Sequence, residues 1–356
     1  MKIDDVLKGK RDHEQIAFLR KKAEMLEAKL AGLRIQLGEQ REVRDMIRES
    51  IAAADPFPRV PWSAPAKADS QVHAVFSYGD WHTGAIIKAS EIEGINAFNW
   101  KIQQRRIHHI VSKEIEWIST QRNGYRIDDA TVFGLADWVS GNIHKELSTT
   151  NEFPVPEAAV KAGMLLGEVL VQIAAHFEKL TYVGINADNH GRLDLKPQFK
   201  QKATNSWSYV VHAIARAYTA KLPNLEFVES EGIKIIHRIA QHNFLVEHGD
   251  TIRGWAGLPF YGMARMKGKE ATRRMKLEME AWRTQKNKLK QELGFDYYFI
   301  GHFHQENIID EIYVNGSLTG TDEFDHGCGR FAKPCQVAML VHPKHGIFNW
   351  VPFRAV

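Results

Sequence analysis

From Val72 onward the chain alternates short apolar runs of strand type with longer stretches of helical period, which restricts it to a layered α/β core. The strand-like runs are Val72–Ser77, Thr131–Leu135, Leu180–Ile185, Leu225–Val228, Ile233–Ile239, Phe244–Glu247, Tyr297–Ile300, Ile312–Val314, Val337–Val341 and Ile347–Val351. Helical spacing fills about 96–121, 155–179 and 203–220. The order starts βαβα and finishes mostly β, so the expectation is mixed rather than purely parallel sheets. No internal repeat is visible.

Five of these runs end in polar clusters rich in metal-ligand side chains: Gly79-Asp80-Trp81-His82, Ala136-Asp137, Asp188-Asn189-His190, Glu247-His248-Gly249-Asp250 and Gly301-His302-Phe303-His304. One Asp-x-His pair means little, because such pairs arise by chance. A series of them at strand ends points to one crevice, since ligand sites of open α/β sheets collect at the carboxyl ends of strands. Two divalent ions a few ångström apart need a bridging carboxylate flanked by nitrogen and oxygen donors. Asp80, His82, Asp137, Asn189, His248, His302 and His304 supply such a set. With no thiolate among them, the set favours Mn²⁺, with Fe or Zn²⁺ as alternatives, over Mg²⁺ alone.

Two further segments frame this core. In residues 1–52, Ile16, Leu19, Ala23, Leu26, Leu30, Leu33 and Leu37 keep a three-four spacing, and Ile47 and Ile51 resume it after Gln40 and Arg44. That is the seam of a coiled coil, and the expectation is a homo-oligomer formed through it. A lone amphipathic helix packed on its own domain is the plainer alternative. Prolines 56, 58, 61 and 65 mark 53–70 as a semi-rigid linker to a domain spanning 71–356. Within that domain, 263–293 forms a charged helical insertion with ten Lys/Arg against four Glu, a net +6 in a chain of net +4. Such a segment suits a nucleic-acid backbone, because Lys and Arg release counterions from phosphates; a solvated helix face is the bland reading. Met275, Met279, Trp282, Leu289 and Leu293 would give it an apolar side for docking.

Composition narrows the class. With 44% hydrophobic and 25% charged residues the chain can form a core, and its two cysteines supply no disulfide framework. Met1 to Lys10 lacks the apolar stretch of a secretory signal, and no apolar run approaches the ~18 residues of a membrane span. The expectation is a cytoplasmic protein with no membrane partner.

The order and spacing of the five motifs over 71–356 resemble the calcineurin-like metallophosphoesterase superfamily, which includes purple acid phosphatases, Ser/Thr phosphatases and SbcD-type nucleases. The family signature reads D-x-H, G-D, G-N-H-(D/E), H and G-H-x-H. The resemblance implies an α-β-β-α sandwich of two mixed sheets with a dinuclear metal site at the strand ends. It also implies that Asp80, His82 and His304 hold one ion and Asn189, His248 and His302 the other. Asp80 is then the expected bridge, with Asp137 able to touch both ions. His190 resembles the family's catalytic histidine that does not bind metal, and would stabilise the transition state or protonate the leaving oxygen while a metal-activated hydroxide attacks phosphorus. Arg192, two residues on, is a candidate phosphate ligand.

This chain departs from the pattern in places. Ala136 and Asp188 replace glycines, and Gly191 replaces the acid after the histidine, so whatever orients His190 must come from elsewhere. Trp138-Val139-Ser140 replaces the Asp-Arg-Gly of Ser/Thr phosphatases, which argues against a phosphoprotein substrate. The Asn315–Asp322 segment, similar to segments in bacterial and phage metallophosphoesterases, would line the substrate side. His108, His109, His144 and His242 are set aside, as are Cys328 and Cys335. The sequence therefore predicts a phosphodiester hydrolase acting on DNA or RNA. A small-molecule nucleotide or cyclic-nucleotide phosphodiesterase is the alternative, and an idle scaffold the third reading.

Overall fold

The structure, a computed structural model, describes residues 21, 22, 24–31, 70–253, 257–283 and 294–355. The chain divides into two compact units, Met1–Ala64 and Pro65–Val356. In the first unit the described residues are helical, with Leu26 and Leu30 exposed. The remaining positions of the expected coiled-coil seam, and residues 53–69, lie outside the described residues.

In the second unit the parallel core is laid down first, as β1 (His73–Tyr78), α1 (Trp100–Gln121), β2 (Asp129–Gly134), α2 (Leu147–Thr150), α3 (Val155–Ala174), β3 (Lys179–Gly184), α4 (Trp207–Tyr218) and β4 (Leu225–Glu229). β5 (Lys234–Ile239), β6 (His242–Glu247), α5 (Phe260–Arg283), β7 (Tyr297–Ile300), β8 (Asn307–Ile309) and β9 (Ile312–Val314) follow. The short α6 (Glu323–Gly327), β10 (Cys335–His342) and β11 (Gly346–Arg354) complete it. Capping fixes two helix starts: Asn99 accepts from Ile102 N (2.9 Å) before α1, and Ser206 accepts from Ser208 N (3.0 Å) before α4.

Two mixed sheets result. The first has the order β11-β10-β1-β2-β3-β4, with β1 to β4 parallel and β10 antiparallel to both β1 and β11. The second has the order β5-β6-β7-β9-β8, with β6, β7 and β9 parallel and β5 and β8 antiparallel at the edges. Alternation along each strand sorts side chains between layers. Ala74, Phe76 and Tyr78 of β1 pack under α1, α3 and α4, whereas Val75 faces the other way into the inter-sheet core. There Phe133 meets Phe244 and Phe299, at centroid distances of 5.7 and 5.4 Å. On the outer face of the second sheet, Leu245, Tyr298 and Ile300 pack with Met263 near the start of α5. The layers run α-β-β-α, as expected. Among the described residues no helix is long and apolar enough to cross a membrane.

The basic insertion differs from its expected packing. Met275 and Met279 are exposed, and Trp282 is 85% exposed, so this stripe does not dock on the domain. Leu289 and Leu293 lie outside the described residues. The buried face of α5 is instead Met263, Glu270 and Arg274, because Glu270 pairs with Lys234 of β5 at 3.0 Å. Met263 and Met266 anchor the start of the helix in the outer apolar cluster, and the Glu270–Lys234 pair continues that face.

Candidate metal centre

The ligand-bearing loops leave the strand ends of both sheets on one edge. Past β1 and β2 the parallel ladder continues through the loops: Asp80 N donates to Ala136 O (3.0 Å), His82 N to Asp137 O (3.0 Å) and Thr83 N to Trp138 O (2.9 Å). Past β6 and β7, Gly301 N donates to His248 O (2.8 Å). Asp80, His82, Ala136, Asp137, His302 and His304 have φ between 45° and 69°. Non-glycine residues rarely adopt this region, at a cost of about 1–3 kcal/mol each, and they cluster where function requires a fixed geometry. Ala136, the replacement noted in the sequence, therefore carries a strain that glycine would avoid.

Four overlapping groups of ligand atoms, each within 4.8 Å of one another, form at this edge: Asp80 with His82 and His304; His82 with Asp137 and His190; Asp137 with His248 and His302; and His304 with Asp322 and Asp325. His82 Nε2 and His304 Nε2 face each other at 2.9 Å, and His304 Nε2 is 3.5 Å from Asp80 Oδ1. His248 Nε2 lies 3.1 Å from Asp137 Oδ2 and 2.9 Å from Asn189 Oδ1. All seven expected ligands are thus brought together. Asp137 stands between the groups, with Oδ2 also 3.9 Å from His82 Nε2, whereas Asp80, the expected bridge, sits with His82 and His304. Both Asp80 oxygens also accept from His302 N at 3.1 Å.

The donor set fits divalent cations. Asp137 Oδ2 is buried with no hydrogen bond of good geometry, and His248 Nε2 and His82 Nε2 stand 3.1 and 3.9 Å from it. His248 Nδ1 donates to Leu135 O (2.8 Å), which directs Nε2 into the cluster, the usual support of a metal-bound imidazole. The titration directions agree with a site built for positive charge. Burial, then the neighbouring His190 and His304, push His82 well below the ordinary imidazole range. Burial would raise Asp137, but His248 and then His190 outweigh it and hold the carboxyl well below its usual range. His302 falls to about 3 through burial and the charge of His248.

The sequence underrated the groups that hold these residues. His190 is oriented by the Ser140 carbonyl, which accepts from Nδ1 at 2.7 Å in place of the missing acid. Asp188, noted only as a replaced glycine, accepts from Asp137 N (3.0 Å), Gly191 N (2.6 Å) and Ser208 Oγ, so it shapes both neighbouring motifs. Burial and then Asp137 raise its carboxyl to about 6. Gly191 is required there, since a Cβ would lie 2.5 Å from Asp188 Oδ1.

Arg192, the candidate phosphate ligand, is held by its own loop. Its guanidinium donates to the carbonyls of Asn189 (3.0 Å), Asp194 (3.0 Å) and Leu195 (3.1 Å), and it does not line the cavity over the cluster. That cavity, about 850 Å³, is lined by Asn189, His190, His302 and His304, by the acidic Asp322 and Asp325, and by Arg253 and Arg330. His144, set aside in the sequence, lines it too. A second cavity of about 390 Å³ shares His190 and His304 and adds Thr319 of the Asn315–Asp322 segment. That segment is mainly structural: Leu318 N donates to Asp80 O (3.0 Å), and buried Arg106 holds the carbonyls of Leu318 and Thr319. Cys328 is exposed and Cys335 buried, and neither joins a metal-type group among the described residues.

No protein-family model matches the chain, and no curated protein matches it. Solved structures with a similar arrangement include wild-type Vps29 complexed with zinc from Entamoeba histolytica (10% identity, 79% of this chain and 99% of that one, TM-score 0.28). Others are vacuolar protein sorting 29 from Cryptosporidium parvum (11%, 80% and 99%, 0.28) and a predicted phosphoesterase from Streptococcus pneumoniae (10%, 53% and 90%, 0.23). The chemistry of the centre is therefore read from its own residues.

Proposed function

We propose that this chain is a metal-dependent phosphodiester hydrolase of the calcineurin-like type, acting on nucleic acid. The observation that carries the reading is the convergence of two carboxylates, four imidazoles and one amide oxygen at one edge, with buried Asp137 shared between the groups. Asp80, His82 and His304 would hold one ion, Asn189, His248 and His302 the other, with Asp137 shared. Two divalent ions at such a site lower the pKa of water and neutralise charge developing at phosphorus.

The chain's own groups supply the rest. Because His190 Nδ1–H is committed to the Ser140 carbonyl, its Nε2 is the atom that can carry a proton to a leaving oxygen. His190 lines both cavities, so a substrate phosphate between them meets that atom. Trp81 and Trp138, fully buried and edge-on at 4.8 Å, pack the loops that carry the ligands onto the apolar core. The 850 Å³ cavity also lies in the size range of small-ligand sites, which favours a nucleotide phosphodiesterase as the second reading.

The test is Mn²⁺-dependent hydrolysis of single- and double-stranded DNA beside bis-p-nitrophenyl and p-nitrophenyl phosphate. Diester cleavage is expected, with kcat falling by ~10²–10⁴ in His190→Ala while metal content is unchanged. Hydrolysis of the monoester alone would reject the diesterase reading. Cleavage of the bis ester without DNA would favour the nucleotide reading.

A further inference from the structure

The large cavity does not stop at the ligand cluster. Its wall at Ile252 and Arg253 is shared with an adjoining cavity of about 210 Å³. Three cations line this annex, Arg253 from the loop after β6 and Arg265 and Lys269 from α5, and among the described residues no carboxylate does. Thr251 lines it as well, and its Oγ1 is buried without a hydrogen-bond partner.

Charge pairing on α5 separates these cations from the rest of the helix. Lys267 pairs with Asp310 (3.2 Å) and Glu311, and Arg273 and Arg274 stand 3.4 and 3.6 Å from Glu270. Among the described residues no carboxylate pairs with Arg253, Arg265 or Lys269. Arg265 and Lys269 are four apart, so they share one helix face, where like charges oppose each other. A Cβ at Gly262 would lie 2.6 Å from Arg253 O, so the bare first turn of α5 lets the Arg253 backbone approach closely, with all three cations exposed. Beside this cluster, Tyr261 is 79% exposed with Arg265 5.8 Å from its ring centroid. Cations tracking a backbone beside an exposed aromatic face suit a single strand, whose bases are free to stack.

We propose that Arg253, Arg265 and Lys269 form a second phosphate subsite. It holds the backbone of a single-stranded nucleic acid beyond the phosphate at the metal centre, and so makes a polymer the preferred substrate. The inference rests on the phosphodiesterase reading for its function, though not for binding itself.

The test uses the full-length Arg265→Glu/Lys269→Glu protein. Anisotropy of a labelled short single-stranded DNA is followed over a salt series in EDTA, with no metal required. The log–log salt slope should fall by roughly 1.4, at about 0.7 per lost phosphate contact. With Mn²⁺, kcat/KM for the oligonucleotide should fall at least ~10-fold while hydrolysis of bis-p-nitrophenyl phosphate persists, which also reports an intact fold. A distal reversal on α1, Lys101→Glu/Lys113→Glu, should leave the slope unchanged. Unaltered oligonucleotide binding in the α5 variant, with diester hydrolysis intact, overturns the subsite and leaves the diesterase standing. An equal loss in the α1 variant also overturns it, since charge alone would then explain binding. If the wild type hydrolyses no diester, the diesterase reading fails, and the EDTA measurement still decides whether the three cations bind the strand.

Discussion

Metal loading should expel protons, in a number that follows from two histidines. Burial alone would lower His248, but Asp137 and then Asp80 and Asp250 raise it to about 10. Burial likewise opposes His304, and its contact with Asp80 and then the charges of Asp325 and Asp322 lift it to about 9. Both are therefore protonated in the metal-free protein at pH 7.5, yet each must offer a bare nitrogen to bind an ion. The distances from pH 7.5 to the two pKa values total about four units, so proton competition costs roughly 5 kcal/mol, or about four powers of ten in affinity. The sign is fixed by linkage. Raised folded-state values stabilise the metal-free protein fully below about 6.5, and that contribution is lost as pH rises through 9 and 10. Affinity for two ions should therefore climb by up to about two decades per pH unit below pH 9. Titration calorimetry at pH 7.5, in two buffers of different ionisation enthalpy, should count close to two protons released per loaded chain. A count below about half a proton, or an affinity flat from pH 6.5 to 9, would refute the reasoning.

Two other perturbations test the framework around the site. Glu114 is fully buried on α1 against Tyr78, and burial, opposed by the Tyr78 hydroxyl, raises its carboxyl to about 8. A raised carboxyl favours the protonated fold, so wild-type stability should decline from about pH 4.5 to 8, by roughly 5 kcal/mol in all. Glu114→Gln should flatten that decline in urea unfolding, and identical pH slopes in the two proteins would sink the assignment. At Gly301 a Cβ would lie 2.6 Å from Asp80 Oδ2, so Gly301→Ala must displace that carboxylate. Metal affinity should weaken ~10–100-fold, and metal analysis should find one ion lost first; full loading with unchanged affinity would remove Asp80 from the ligand set.

Much of this was legible in the sequence because the strands are short, apolar and punctuated by ligands. Tyr297–Ile300 and Ile312–Val314 match their predicted bounds, and the other predicted runs shift by a residue or a few at their ends. β8 was missed because Asn307–Ile309 is three residues long and has no alternation to read. Which strands belong to which sheet was not legible, since the division depends on inter-sheet pairs such as Phe133 with Phe244, far apart in sequence. The ligand types were readable from their motifs, but their supports were backbone carbonyls, at Leu135 and Ser140, which no side-chain pattern records. The surroundings of Arg192 were hidden for the same reason: its partners are the carbonyls of its own loop. Arg253 was overlooked because it belongs to no motif, and only the approach of α5 at Gly262 gives it company.

The ligands also divide by layer. Asp80, His82, Asp137 and Asn189 follow strands of the first sheet, while His248, His302 and His304 follow strands of the second. Each ion would therefore draw ligands from both, and the pair would act as a rivet through two plates that otherwise meet largely through apolar side chains such as Phe133, Phe244 and Phe299. A slip of one sheet over the other would then appear first as a change in the spacing between ions. Trimming Phe133 or Phe299 in the inter-sheet core would consequently alter metal cooperativity from a distance, with no ligand touched.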